Sequence, residues 1–474
     1  MEERLDRISS LPVEILRRIS SLLPLEEAVR TSTLSSVWKS LWTPVQVDME
    51  FDTHLKTRHE ASKEVIEVIS PVLRSYASPE VWKFCLTFPE SDKEPSLEAK
   101  DEVIVLATKG TERELHLEFS KRQKRTGHLK LEQTCKGFSN HHDMQMAGFS
   151  TLKTLHLRSV PFLARDLVSA LFSNCKLLES LKLDKCTGLE SLDIEAGDCL
   201  RSLIVVNCAD ILHIKISARK LVSFWYQGSL PQIKLTNTPN LVDVMLNLKD
   251  GVGHYEFDCE EVLSLFASLK EVEILTISGW LLEWLCSAGV IFKRLEFQFN
   301  KLKELRWIDS LINRPKRDSL ASFINIAPSL EKLFVRVDRS QSSVPCPCFH
   351  QYWHEPHLWM DFTAVKSSTT QLKHLKVVGF LGFRVEDDQL LLMELLLNKA
   401  IVLSSMNVIS PSKRSWRVVK VPLCQLKPAS SWNHQKHIAV LSPNKEFFFV
   451  FTEEIYGHQG GFESSFPPSF FPGC

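Results

Sequence analysis

The stretch "LESLKLDKCTGLESLDIEAGDCLRSLIVVNCADILHIKI", residues 178–216, repeats one motif four times: apolar, two residues, apolar, one residue, apolar, beginning at Leu178, Leu189, Leu200 and Ile211. Further copies begin at Leu221, Leu230 and Leu241. Within each copy the alternation predicts a short strand with one buried face. About five residues between copies leave room only for a turn. Taken two at a time, the starts at 178, 200, 221 and 241 are 22, 21 and 20 residues apart. Each coil of this block is therefore expected to hold two short strands, and stacking of coils makes the core continuous, because no coil can cover its own apolar edge.

Working outward, weaker copies stand at "LKTLHL" from Leu152, "VEILTI" from Val272, "FKRLEF" from Phe292, "LEKLFV" from Leu330 and "LKHLKV" from Leu372. The wider spacing gives these coils room for helices, expected over 164–174, 259–269 and 280–289. A period in the low twenties lies in the leucine-rich-repeat range. Cys186 and Cys208 each follow the last apolar position of a unit by three residues. That position is similar to the buried Asn/Cys step of leucine-rich repeats, and one cysteine per coil with no nearby histidine lacks metal-ligand spacing.

A different pattern opens the chain. In "LPVEILRRISSLLPLEEAVRTSTLSSVWKSLW", residues 11–42, the apolar Leu11, Val13, Ile15, Leu16, Ile19, Leu22 and Leu23 suit one helix face. Pro12 is tolerated in the first turn and Pro24 ends that helix at Leu23. A second short helix follows, with Glu26 and Glu27 at its start and Arg30 at its end. Thr31, Ser32 and Thr33 offer cap oxygens for a third helix that carries Leu34, Val37, Trp38, Leu41 and Trp42 on one face. So small a unit cannot bury this much apolar side chain alone. The surplus must meet something else.

Residues 6–42 resemble the F-box of the large plant F-box family, in the Leu-Pro start, the Leu-Pro break and the Ala-Val-Arg-Thr-Ser, Leu-Ser and Trp-x-Ser-Leu-Trp steps. The resemblance implies docking to the Skp-type linker subunit of a Skp–cullin–F-box ubiquitin ligase and, through it, to cullin. The implied contact residues are Leu11, Pro12, Ile15, Leu16, Ile19, Leu22, Pro24, Ala28, Val29, Leu34, Ser35, Trp38 and Leu41. Val13, Ser20 and Ser36-Val37 depart from the family pattern. These departures favour the alternative, a leucine-rich-repeat scaffold that binds protein without a ubiquitin-ligase role. Residues 372–411 are similar to the FBD-type module in their Val-x-Gly-Phe-x-Gly turn and Leu-Leu-x-Asn-Lys-Ala helix end.

The fold expected is α/β: an N-terminal three-helix F-box, a leucine-rich-repeat solenoid (horseshoe), and a C-terminal strand-helix-strand cap. The expected boundaries are 1–45 for the F-box, 46–100 for a linker and the start of the solenoid, 101–350 for the solenoid, 351–422 for the FBD-like cap and 423–474 for an irregular tail.

Fifty-seven basic and 57 acidic residues cancel, so no net field draws the chain to nucleic acid or an anionic membrane. The start lacks a secretory apolar run, and 12 cysteines over 474 residues do not make a disulfide scaffold; cytoplasm or nucleus is expected. Gly251-Val252-Gly253 lacks a third glycine, and no Gly-x-Ser-x-Gly or His-Glu-x-x-His occurs. An enzyme is not expected, nor a cofactor. "CPCFHQYWHEPH", residues 346–357, crowds Cys346, Cys348, His350, His354 and His357, but Cys-Pro-Cys sets its thiols too close in sequence for a usual zinc module, and no metal is assigned. The basic run 120–130, "SKRQKRTGHLK", reads as a solvated loop after a strand at "ELHLEF".

Alternation turns one set of strand residues away from the core. Among them Ile204, Val206, Trp225 and Met245 form an expected apolar patch rimmed by Lys182, Asp184 and Asp243, a composition suited to a target-binding surface. The function expected is that of a substrate-recognition adaptor for an unidentified protein target.

Overall fold

The computed structural model describes residues 8, 11–20, 30–31, 33–38, 46–50, 83–88, 114–119, 152–160, 163, 168, 172, 175–196, 198–252, 257–341, 343–344, 371–412, 414–425 and 437–453. The chain divides into two units, Met1–Val222 with Pro231–Asn240, and Ser223–Leu230 with Leu241–Cys474.

The first unit begins with helix α1 (Val13–Ser20). Strands β1 (Gln46–Glu50), β2 (Lys83–Phe88), β3 (Glu114–Phe119) and β4 (Thr154–Arg158) lead to the regular block. There the motif becomes β5 (Ser180–Asp184), β6 (Ser191–Glu195), β7 (Ser202–Val206), β8 (His213–Ser217), β9 (Ser223–Gln227), β10 (Gln232–Thr236) and β11 (Asp243–Asn247). In the first unit β1, β2, β3, β4, β5 and β7 pair in that order, all parallel. Strands β6, β8 and β10 form a second parallel sheet. Alternate motifs thus go to alternate sheets, two strands to a coil, as the short spacing predicts.

The register stacks like on like: Leu181 faces Leu203 and Leu183 faces Val205, while Leu192 faces Ile214 and Ile194 faces Ile216. All eight are buried, and each aliphatic side chain so covered contributes roughly 1.5–3 kcal/mol. The chain leaves a strand through one left-handed residue, Ser159, Lys185 or Asn207, with φ of 55°, 56° and 55°. Lys185 N–H then donates to the Val206 carbonyl at 2.8 Å. The next residue points inward: Val160, Cys186 or Cys208, all buried. Cys186 Sγ donates to the Leu157 carbonyl at 3.5 Å, and Cys208 Sγ to the Val206 and Leu183 carbonyls at 3.6 and 3.8 Å. These thiols add weak hydrogen bonds to backbone acceptors at the strand ends.

In the second unit β9 pairs with β11, and the parallel run continues through β12 (Ile274–Ser278), β13 (Glu304–Asp309), β14 (Lys332–Val337), β15 (Val377–Leu381) and β16 (Ser405–Ile409). Its coils are longer because they carry helices α2 (Cys259–Ser268), α3 (Gly279–Ser287), α4 (Arg314–Phe323) and α5 (Asp387–Lys399). Asp258 caps α2 by accepting from Glu260 N and Glu261 N. Gly279 is required where α3 crosses β13, since a Cβ there would stand 2.1 Å from the Trp307 ring. The helices at 259–269 and 280–289 match expectation; of 164–174 only Val168 and Phe172 are described as helical.

Two motif assignments are corrected. "FKRLEF" is no strand: Phe292–Arg294 is a 3₁₀ turn, and the strand of that coil is the next copy, "LKELRW", whose Leu302, Leu305 and Trp307 are buried. "LKHLKV" starts three residues early. Leu333 pairs with Val378, so the unit runs Leu375, Val378, Phe380, and Val377 turns to the opposite face, against Ile308, Phe334 and Ile409.

Helix α4, unexpected from its sequence RPKRDSLASF, is capped by the Asn313 side chain, which accepts from Lys316 N at 3.0 Å. It packs against α3 and α5, and its charges are buried in pairs. Lys316 Nζ meets Asp309 Oδ1 at 2.6 Å, and Arg317 donates from Nε to Asp318 at 2.8 Å and from a terminal nitrogen to Asp388, at the start of α5, at 2.5 Å.

The segment after 422 is also corrected. Strand β17 (Ser415–Pro422) pairs antiparallel with β16 and with β19 (Phe447–Glu453), and β19 with β18 (His437–Leu441). Phe447, Phe449 and Phe451 are buried, and Asn444, in the turn between β18 and β19, donates to Glu394 of α5 at 2.7 Å. Residues 437–453 are therefore a built part of the second unit, formed by burial of the Phe-rich run. The run 120–130, the cluster 346–357 and the stretch 462–474 lie outside the described residues.

Candidate functional site

Two surfaces hold the residues singled out above. On α1 the Pro12 carbonyl accepts from Ile15 N and Leu16 N at 2.9 and 3.1 Å, fixing the first turn. Leu16 and Trp38 are fully or nearly fully buried against each other, with Ile19 packed beside them. They hold the segment together. Leu11, Val13, Ile15, Leu34 and Val37 are left in solvent, Ile15 at 48% and Leu34 at 66% exposure. Pro12 is exposed and Ser35 half-buried; Leu22, Pro24, Ala28, Val29 and Leu41 lie outside the described residues. The start of the third helix differs from expectation. Residues 33–34 and 36–37 are turns, and the Thr33 hydroxyl donates back to the Arg30 carbonyl at 2.8 Å, closing the preceding turn instead of capping a following one. Five exposed apolar side chains around one small buried pair form a surface that gains by being covered.

The second surface is the strand face turned from the core, and its residues fall in different units. In the first unit Lys182 pairs with Ile204 and Asp184 with Val206 across β5 and β7, all half-buried. Asp184 is engaged by Arg158 at 3.3 Å. In the second unit Trp225 pairs with Met245 across β9 and β11, and Trp225 Nε1 donates to Asp243 Oδ2 at 3.1 Å. Met245 is only 8% exposed, so the open apolar patch expected from alternation does not extend to it.

The same face continues through residues that the sequence reading did not single out. Met245 pairs with Thr276, Thr276 with Arg306, and Arg306 with Phe334. Arg306 Nε donates to Glu304 at 2.7 Å. Burial pushes the Asp243 carboxyl above the usual range, against the pull of Arg306 and the Trp225 hydrogen bond. Extending the alternation rule into "VEILTI", "LKELRW" and "LEKLFV" would have found Thr276, Arg306 and Phe334.

Among the described residues of these surfaces, no nucleophile is brought together with a base. Burial, reinforced by Asp318 and Glu283, pushes the Cys286 thiol up to about 12, and its hydrogen bond with Cys186, then burial, holds the Cys208 thiol far above its ordinary value. Such thiols stay protonated and inert. Among the described residues no group of three His, Cys, Asp or Glu could hold a metal ion, and no helix is long and apolar enough to cross a membrane.

With this geometry in hand, comparison with known proteins finds two family profiles. One, described as "At1g61320/AtMIF1, LRR domain", matches residues 116–430; the other, "F-box domain", matches residues 8–48. The chain is similar to "F-box/FBD/LRR-repeat protein At1g13570" of Arabidopsis thaliana, 27% identical over 260 residues, which are 52% of this chain and 55% of that protein. It is also similar to "Putative FBD-associated F-box protein At1g61330", 24% identical over 80% of this chain and 85% of the relative, and to "FBD-associated F-box protein At1g61320", 24% identical over 81% and 84%, both of Arabidopsis thaliana. The aligned part spans about half the length of the first of these relatives.

Proposed function

This chain belongs to the F-box proteins that carry the At1g61320/AtMIF1-type leucine-rich-repeat domain, and from that premise we propose that it is a substrate-recognition adaptor of a Skp–cullin–F-box ubiquitin ligase. The family is of adaptor type. The adaptor contributes no chemical group to ubiquitin transfer. It holds a target protein on its strand face and a Skp-type linker subunit on its N-terminal helices, raising the local concentration of one at the other. The observation that carries this reading is the exposure of Leu11, Val13, Ile15, Leu34 and Val37 around the buried Leu16–Trp38 pair.

Full burial of an exposed aliphatic side chain is worth roughly 1.5–3 kcal/mol; a linker subunit that covers Leu11 and Ile15, 39% and 48% exposed, gains less than half of that from each. The test is co-purification of the full chain with a Skp-type linker subunit, beside the double variant Leu11→Ala/Pro12→Ala. That variant should lose the linker while its repeats stay folded. Undiminished co-purification would overturn the reading. The rival, a scaffold without a ubiquitin-ligase role, draws on Val13, Ser20 and Ser36-Val37, where the sequence departs from the family pattern; it is favoured if the wild-type chain takes up no linker subunit.

A further inference from the structure

We infer that the strand face of the second unit around Met245 is a seat for a basic residue of an extended target segment, with its cationic head against Asp243 and Trp225 and neighbouring N–H groups toward Thr276 and Asn247. This inference rests on the adaptor reading and names the chemistry of its target.

Several donors of this face are engaged: Trp225 Nε1 on Asp243 Oδ2 at 3.1 Å, Asn247 Nδ2 on Gln227 Oε1 at 3.0 Å, and Arg306 Nε on Glu304 at 2.7 Å. Three acceptor atoms are buried without a hydrogen-bond partner, Asp243 Oδ1, Asn247 Oδ1 and Thr276 Oγ1. Their side chains stand on one face, since Asp243, Met245 and Asn247 alternate along β11 and Met245 pairs with Thr276 on β12. Thr276 is 1% exposed and Asn247 7%. A buried acceptor without a donor costs on the order of 1–3 kcal/mol, more for a charged group.

The unmet need of this surface is for donors, and at Asp243, where burial and Glu304 outweigh the pull of Arg306 and the Trp225 hydrogen bond, for further positive charge. A Lys or Arg head supplies both, and the half-buried indole of Trp225 beside the carboxylate adds a π face that favours a cation. Asp243 and Asn247 are four residues apart, about 13 Å along a strand, too far for one ammonium to bridge. An extended segment spans it. Met245 lies between them, an unbranched side chain that can swing aside at little cost. The basic side chain beside this seat, Arg306, pairs in register with Thr276 and is engaged through Nε by Glu304. Lys332, on β14, pairs with Glu304 at 3.7 Å.

The experiment is selection of a random peptide library on the full chain, on Asp243→Asn and on Thr276→Val. Asparagine keeps an acceptor for Trp225 and removes a charge that burial disfavours, so Asp243→Asn should fold at least as well as wild type; a melting curve confirms it. Peptides recovered on the wild type should be enriched in Lys or Arg. On Asp243→Asn that enrichment should fall about tenfold or more, and Thr276→Val should reduce recovery of the same peptides. Enrichment in acidic or apolar residues, basic enrichment unchanged in Asp243→Asn, or no enrichment on the wild type would each overturn the inference. Co-purification of the linker subunit, measured on the same preparations, reports separately on the adaptor reading.

Discussion

Replacing Arg317 by methionine tests whether buried charge holds the last helical coils together. Arg317 is 3% exposed and bridges two helices 71 residues apart in sequence, donating to Asp318 of α4 and Asp388 of α5. Methionine fills similar volume without charge. It would leave Asp318 buried with only Arg314, an exposed side chain at 3.7 Å, for company. Breaking one side of a buried pair costs about 3–5 kcal/mol. For a unit of roughly 240 residues, at about 2–4 °C per kcal/mol, the second unit should melt roughly 6–20 °C lower. Hydrogen exchange in α5 should quicken with it. The sign with pH is fixed by Asp318, whose carboxyl burial already raises above its usual value. With Arg317 gone it rises further, the folded state binds more protons than the unfolded one, and the penalty shrinks as pH falls through that raised value. The double variant Arg317→Met/Asp318→Leu removes both charges and should recover most of the loss. Scanning calorimetry and mass-resolved exchange decide it. An unchanged melting temperature, or a double variant as weak as the single one, would refute the account.

Gly279→Ala should destabilise α3 by about 1–3 kcal/mol, because the new Cβ lands 2.1 Å from the Trp307 ring and the core must shift; proteolysis at α3 faster than in wild type checks it. In a native maleimide footprint, exposed Cys424 should react well before the buried Cys186, Cys208 and Cys286, read by peptide mass. Asp243→Asn should melt at or above wild type at neutral pH and lose that advantage in acid. Burial raises the Asp243 carboxyl, so wild type loses stability as pH rises through that value while the variant does not.

The regular block was legible because its period is short and one apolar spacing recurs from Leu178 to Leu246, with burial alternating cleanly in β5, β6, β7, β8 and β9. Longer coils blurred the reading. "FKRLEF" and "LKELRW" carry the same apolar spacing ten residues apart, and only pairing with β12 and β14 chooses the second. Helix α4 was hidden because Lys316, Arg317 and Asp318 read as a solvated face, whereas tertiary ion pairs bury them. The run Phe447–Phe451 stands out as apolar in the sequence, but nothing local shows that β17 and β18 would flank it. At the N-terminus, amphipathic spacing marked Leu16 and Trp38 as apolar without distinguishing the pair that holds the segment from the residues left outside. On the strand face, alternation placed Trp225 and Asp243 correctly, while the burial of Met245 depends on what lies over the sheet.

We propose that the exposed apolar side of the N-terminal helices docks a Skp-type linker subunit. Titration calorimetry of the purified full chain with that subunit tests it most directly, beside Ile15→Asp, which places a charge where 48% of the side chain now meets solvent and so spares the Leu16–Trp38 pair. A one-to-one complex is expected for the wild type, and a loss of affinity of about a hundredfold or more for Ile15→Asp, the cost of burying an unpaired carboxylate. No heat of binding for the wild type, or equal affinity for the two, would contradict it.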